Sequence, residues 1–101
     1  MTVSLPGDLG KPRPALIVQA DQFAQTESVS ILPLTSTMLQ SPLLRCQIDP
    51  TSTNGLRQRS QVMIDKPMTV RRSKVGEAFG RISDDKLIEV NRLLALFWGI
   101  V

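Results

Sequence analysis

The chain has no histidine, no tyrosine, one cysteine and one tryptophan among 101 residues, and each shortage closes a chemical route. Without histidine there is no Ser-His-Asp triad, no imidazole-based metal centre and no histidine acid-base pair. A lone Cys46 cannot form an internal disulfide or a zinc site, which suits a reducing compartment. With no histidine to activate it, Cys46 reads as a small buried hydrophobe. Three phenylalanines and the single tryptophan are too few for a platform of several stacked bases. No apolar run approaches the roughly 20 residues that span a bilayer, and no charged-then-apolar leader opens the chain, so a soluble cytoplasmic protein without membrane contact is expected. Gly7 and Gly10 do not continue into the Gly-Lys-Ser/Thr element of a phosphate-binding loop. Any catalysis must therefore rest on Arg, Lys, Asp, Glu, Ser and Thr, and no metal or other cofactor is expected.

What remains is an ordinary globular composition, 42% hydrophobic and 21% charged, at a length that fits a single domain over residues 1–101. Twelve Lys and Arg against nine Asp and Glu give a net charge of +3. That modest excess raises the prospect of an anionic partner such as nucleic acid.

Short strands are expected at 2–5, 15–18, 29–34, 43–48, 60–64 and 68–72, with a last one over 77–82. The unbroken apolar run 15–18 reads as the central strand, covered on both faces. Pro33 implies a bulge or an unpaired edge position. Asp49-Pro50 and Asn54-Gly55 signal turns. The period then changes. Ser83 is a good N-cap, Asp84 and Asp85 suit the positive end of a helix dipole, and Leu87, Val90, Leu94 and Phe97 recur at helical spacing before Gly99. Ile88, Leu93 and Leu96 widen that stripe beyond what one sheet face requires, which leaves surface for a partner. Several short strands and one packed helix make a small, mostly β barrel.

The chemistry concentrates where Gly-Asp-Leu-Gly-Lys-Pro-Arg-Pro at 7–14 feeds an apolar strand. Pro12 and Pro14 restrict the backbone around Arg13, so its guanidinium leaves the loop in few directions. A planar, permanently charged fork can hold two phosphate oxygens. Cleaving RNA through its own 2′-hydroxyl needs such a cation beside the phosphorane oxygens. Thr35 or Ser36 could donate a hydrogen bond to the same phosphate. Asp65 is the candidate base, provided burial or a neighbouring acid raises it from its ordinary value near 3.9. Bland readings stand beside these: Arg13 covering apolar surface with its stem, Thr35-Ser36 as a turn, Asp65-Lys66-Pro67 as a hairpin loop. Arg57, Arg59, Arg71, Arg72 and Lys74 either track phosphates or are solvated.

The ordered series Gly-Lys-Pro-Arg-Pro-Ala-Leu-Ile-Val-Gln at 10–19, Leu-Pro-Leu-Thr-Ser at 32–36, Asn54-Gly55-Leu56 followed by Ser60-Gln61-Val62, and Val75-Gly76 to Ile82 before a terminal helix resembles the MazF/PemK family of bacterial toxin ribonucleases. The resemblance implies an SH3-like barrel and a homodimer. It also implies metal-independent, sequence-selective cleavage of single-stranded RNA to 2′,3′-cyclic phosphate and 5′-hydroxyl ends, and inhibition by an antitoxin with a flexible acidic tail. Arg13 matches the arginine of the family's R-P-[AV]-L motif, Thr35 its threonine after the third strand, and Asp65 its acidic residue. With them, Lys11, Ser36, Gln61 and Lys66 are the expected RNA contacts. Met63 departs from members that carry an arginine two residues before the acid, which keeps open a catalytically inactive binding module. The terminal Leu96-Phe97-Trp98-Gly99-Ile100 keeps open a CcdB-like gyrase poison acting by protein contact.

Overall fold

A computed structural model describes residues 2–6, 12–23 and 25–100. They form strands β1 (Thr2–Pro6), β2 (Pro12–Ile17), β3 (Ser28–Thr35), β4 (Arg45–Ile48), β5 (Ser60–Met63), β6 (Met68–Arg71) and β7 (Ala78–Gly80), then helix α1 (Asp84–Trp98). Every pairing is antiparallel. The order is β4-β5-β3-β2-β1-β7, with β6 also on β3. The architecture is mostly β with a C-terminal helix, as expected.

Strand β2 lies in the middle of this order and is covered on both faces, as expected of 15–18, but β3 beside it is the hub of the pairing. On one side β3 pairs with β2; on the other, Ser28 to Ile31 pair with β6, and Leu34 and Thr35 pair with β5. Pro33 falls where β3 changes partner, so its missing N–H interrupts no ladder on that side. Adjacent residues are fully buried on both strands, Ala15 with Leu16 and Ile31 with Leu32. Alternate side chains point to opposite faces, so both faces of the sheet are covered here. Ala15, Val29 and Ile31 form a small cluster on one side, while Leu16, Leu32 and Leu34 join the larger core. Strand β4 begins two residues later than expected, because Ser41 O accepts the N–H groups of Leu44 and Arg45 in a turn.

Helix α1 closes the larger core with Val90 and Leu93, flanked by Leu87 and Leu94. Burying a side chain such as Val90 contributes about 1.5–3 kcal/mol. Its ends match their sequence signals. Ser83 Oγ accepts from Lys86 N at 3.3 Å, and Gly99 adopts φ 73° while its N–H reaches Leu96 O at 3.1 Å. Phe97, expected on the buried stripe, is instead 42% exposed with its neighbours Leu96 and Trp98, because the last turn runs past the core. No helix among the described residues is long and apolar enough to cross a membrane. Cys46 is buried beneath α1, where burial, reinforced by Glu89, pushes its thiol up to about 11. It stays protonated and inert.

The loop between β4 and β5 is organised around Asn54. Its Oδ1 accepts from Thr51 N at 3.0 Å and Leu56 N at 2.9 Å, and its Nδ2 donates to Asp49 O at 2.9 Å. Asn54 N in turn donates to Thr51 Oγ1 at 3.0 Å. This reciprocal set folds the loop and sends Leu56 into the core. The loop also lies tight against β7: Arg81 N donates to Thr53 O at 2.9 Å, and a Cβ on Gly80 would come within 2.3 Å of the Asn54 carbonyl. Backbone cannot yield as a flexible side chain can. Gly80→Ala is therefore expected to lower stability by about 1–3 kcal/mol, the usual cost of overpacking. The shift of the urea midpoint measures it.

Candidate functional site

Arg13 and Thr35 come together through the β2–β3 register. Ala15 opposes Pro33, and continuing that ladder by two residues brings Arg13 level with Thr35. The two line a cleft of about 640 Å³. Pro14 and Arg13 contribute from β2, while Leu34, Thr35 and Ser36 contribute from the exit of β3. The rest of the lining is Gly55 to Gln58 of the Asn54 loop, Ser60 of β5 and Phe79 of β7. Arg13 and Arg57 are the charged residues of this lining, both positive and both exposed. A concave surface of one charge sign attracts the opposite one. Thr35 Oγ1 accepts from Thr37 N at 3.1 Å, which fixes the side chain while leaving its own proton to donate.

Three of the expected residues therefore share the cleft: Arg13, Thr35 and Ser36. Gln61 does not. It is buried, its Oε1 accepting from Leu39 N at 3.1 Å and its Nε2 donating to Leu39 O at 3.0 Å, so it pins the segment after β3 and lies outside the cleft lining. Its neighbour Ser60 takes the place on the cleft, since consecutive strand residues face opposite ways. Lys66 is exposed in the turn after β5, its N–H on Met63 O, and is outside the cleft lining. Lys11 lies outside the described residues. Among the further cations, Arg57 lines the cleft, Arg59 pairs with Asp49 at 3.0 Å, and Arg72 Nε donates to Thr26 O at 2.6 Å.

Asp65 is also absent from the cleft lining. Its carboxylate is ion-paired with Arg45 Nη1, contributed by β4, where Arg45 lies opposite Met63. The Arg45 side chain is 8% exposed and that of Asp65 26%. Partial burial raises the carboxyl, but the hydrogen bond and charge of Arg45, together with a backbone hydrogen bond and Lys66, outweigh it and lower the group below its ordinary value. This is the opposite of the shift a general base near neutrality requires. Arg45 was not anticipated, because its partner lies twenty residues along the chain.

The pair has a measurable consequence. Because the folded-state carboxyl titrates below the unfolded one, at about 3.9, its stabilisation is complete above about pH 4 and is lost as pH falls through the folded value. Asp65→Asn is expected to flatten that acid limb in pH-dependent thermal unfolding. Asp65→Ala leaves a buried guanidinium without its counter-charge, with Nε already lacking a partner among the described residues, and is expected to cost about 3 kcal/mol. Arg45→Met leaves only a partly solvated carboxylate and should cost less.

Comparison with known proteins gives the family and the fold. The family model for the PemK-like, MazF-like toxin of type II toxin-antitoxin systems matches residues 2–98. A protein of Mycolicibacterium smegmatis named probable endoribonuclease MazF is 44% identical over 91 residues, covering 90% of this chain and 84% of its own. Among solved structures, the Mycobacterium tuberculosis toxin MazF-mt6 superposes with a TM-score of 0.81 at 21% identity, over 98% of this chain and 97% of that one. A mycobacterial endoribonuclease solved in complex with its cognate antitoxin gives 0.78 at 21% identity, over 99% and 93%. At those identities the superpositions speak for the fold; the family follows from the model and the 44% relative. From β1 to the end of α1, the chain belongs to the PemK-like, MazF-like toxin family of type II toxin-antitoxin systems.

Proposed function

We propose that this protein is the toxin of a type II toxin-antitoxin pair and an endoribonuclease that cuts single-stranded RNA in the cytoplasm, without a metal, at the cleft of Arg13. The observation that carries the reading is the meeting of Arg13, Thr35 and Ser36 in one concavity whose lining charges are both positive. In the reaction the substrate's 2′-oxygen attacks phosphorus, the bond from phosphorus to the 5′-oxygen breaks, and a 2′,3′-cyclic phosphate and a 5′-hydroxyl result. One proton leaves the 2′-hydroxyl and one reaches the departing 5′-oxygen. The guanidinium of Arg13 opposes the negative charge that accumulates on the phosphorane oxygens, and the hydroxyls of Thr35 and Ser36 donate to the same group. Asp65 supports the turn after β5 through Arg45 and is not placed in the proton transfers.

Toxins of this kind are held inactive by a partner, and a mycobacterial relative has been solved with its cognate antitoxin. An acidic, flexible antitoxin tail fits a cleft lined by Arg13 and Arg57 on charge alone. The toxin itself acts as a homodimer, and the exposed last turn of α1, with Leu96, Phe97 and Trp98, supplies apolar surface for a second copy.

Purified protein incubated with a long unstructured RNA in EDTA is expected to yield discrete cuts with cyclic phosphate and 5′-hydroxyl ends. Arg13→Ala should reduce cleavage by about a hundredfold or more while leaving thermal unfolding unchanged, the scale seen when one oxyanion donor is removed. Thr35→Val should lose less. Undiminished cleavage by the Arg13 variant would remove the arginine from the mechanism. Trp98→Asp should shift the sedimentation coefficient towards that of a monomer.

A further inference from the structure

We propose that Phe79 is the stacking platform of a nucleobase subsite, holding one base next to the phosphate bound at Arg13; this rests on the nucleic-acid reading of the cleft. Phe79 lines the same cleft as Arg13 and Thr35, yet it is 41% exposed and belongs to neither buried apolar cluster. Folding leaves two-fifths of this residue open to solvent. The backbone nevertheless places it with care. On β7, Gly80 pairs with Thr2 and Ala78 pairs with Val3, so Phe79 falls at the break in register. Such bulges re-aim a side chain and gather beside functional sites.

Gly55 then seats the ring. It has φ +70°, and a Cβ there would lie 2.7 Å from Phe79 Cδ2 and 2.6 Å from the Phe79 carbonyl oxygen. Only a glycine lets the phenyl group settle against the loop at this distance, with part of the ring left open to the cleft. Arg13 and Arg57, which line the same cleft, suit the phosphates of a strand, and the amide of Gln58, also in the lining, can both donate to and accept from a base edge. An exposed aromatic in a groove that also carries backbone-binding cations is the recurring arrangement for single-stranded nucleic acid. The sequence holds too few aromatics for a run of stacked bases, but one ring suffices for one base.

The test needs no cleavage. Fluorescence anisotropy compares an eight-nucleotide 2′-O-methyl oligouridylate with an abasic ribose-phosphate chain of equal length, which carries the same charges without bases. Wild type is expected to favour the oligouridylate, and Phe79→Leu to lose about tenfold of that preference while its grip on the abasic chain is unchanged. Phe79→Tyr should restore the preference, which separates stacking from a fold defect. Equal loss on both oligomers, or no loss on either, overturns the proposal, as does a Phe79→Leu variant whose only weakened ligand is an acidic peptide. A protein that shows the base-dependent loss yet cuts no RNA would retain this subsite and sink the ribonuclease reading instead.

Discussion

The pairing of β2 with β3 is the constraint on which the site depends. Arg13 and Thr35 are 22 positions apart in the chain, and they meet because Ala15 opposes Pro33. A slip of one residue would turn every side chain of β2 to the other face. The slip is prevented by packing: Ala15 belongs to one apolar cluster and Leu16 to the other, so either face would receive the wrong volume. The meeting of Arg13 and Thr35 is thus an outcome of how the core is filled. The two prolines beside Arg13 narrow the backbone further, but it is the register that chooses the neighbour.

The cleft has a second support. The Asn54 loop forms its cleft wall from hydrogen bonds made almost wholly within residues 49–56, and the close approach of Gly80 ties it to β7. Strand β7 in turn pairs with β1, which pairs with β2. Both walls of the cleft are therefore connected through one continuous sheet. Rigid strands hold the site while loops furnish much of its lining, the usual division of labour in a small binding domain.

Local signals were legible in the sequence and tertiary ones were not. Ser83 and Gly99 mark the ends of α1 because caps are made by the residues at the helix termini themselves. Strand positions could be read from apolar runs and turn residues for the same reason. The hub role of β3 could not: 15–18 is the unbroken apolar run, whereas Ser30 and Pro33 interrupt 29–34, yet it is the interrupted segment that acquires three partners, and partner number is a tertiary property. Gln61 and Ser60 show the limit more sharply: the motif is visible, but which of two neighbours faces the cleft depends on strand phase. Asp65 could be read as a base because the arginine that lowers its carboxyl, Arg45, is distant in sequence. Met63, where an arginine was missing, lies opposite that same Arg45, so a guanidinium reaches the acidic position from the neighbouring strand.

Electrostatics set the remaining condition on catalysis. Arg13 is exposed, and a charge in water gains little from approaching a phosphate, about 1 kcal/mol at 4 Å in bulk dielectric and severalfold more where water is displaced. Stabilising a phosphorane by several kcal/mol therefore requires that the cleft be dry when the reaction occurs. The protein's own apolar lining there is Leu34, Leu56, Pro14 and Phe79, and the first two sit low, as buried members of the core. The top of the cleft must be closed by something bound. A base laid on Phe79 would do this, covering the ring and excluding water from the side of Arg13 at once. Binding and chemistry would then be coupled through one contact: a strand offering a base at that position gains affinity, and it also strengthens the charge that acts on its own scissile bond. On this argument sequence selectivity belongs in kcat as well as in KM, because the base that is recognised also removes the solvent that screens the guanidinium.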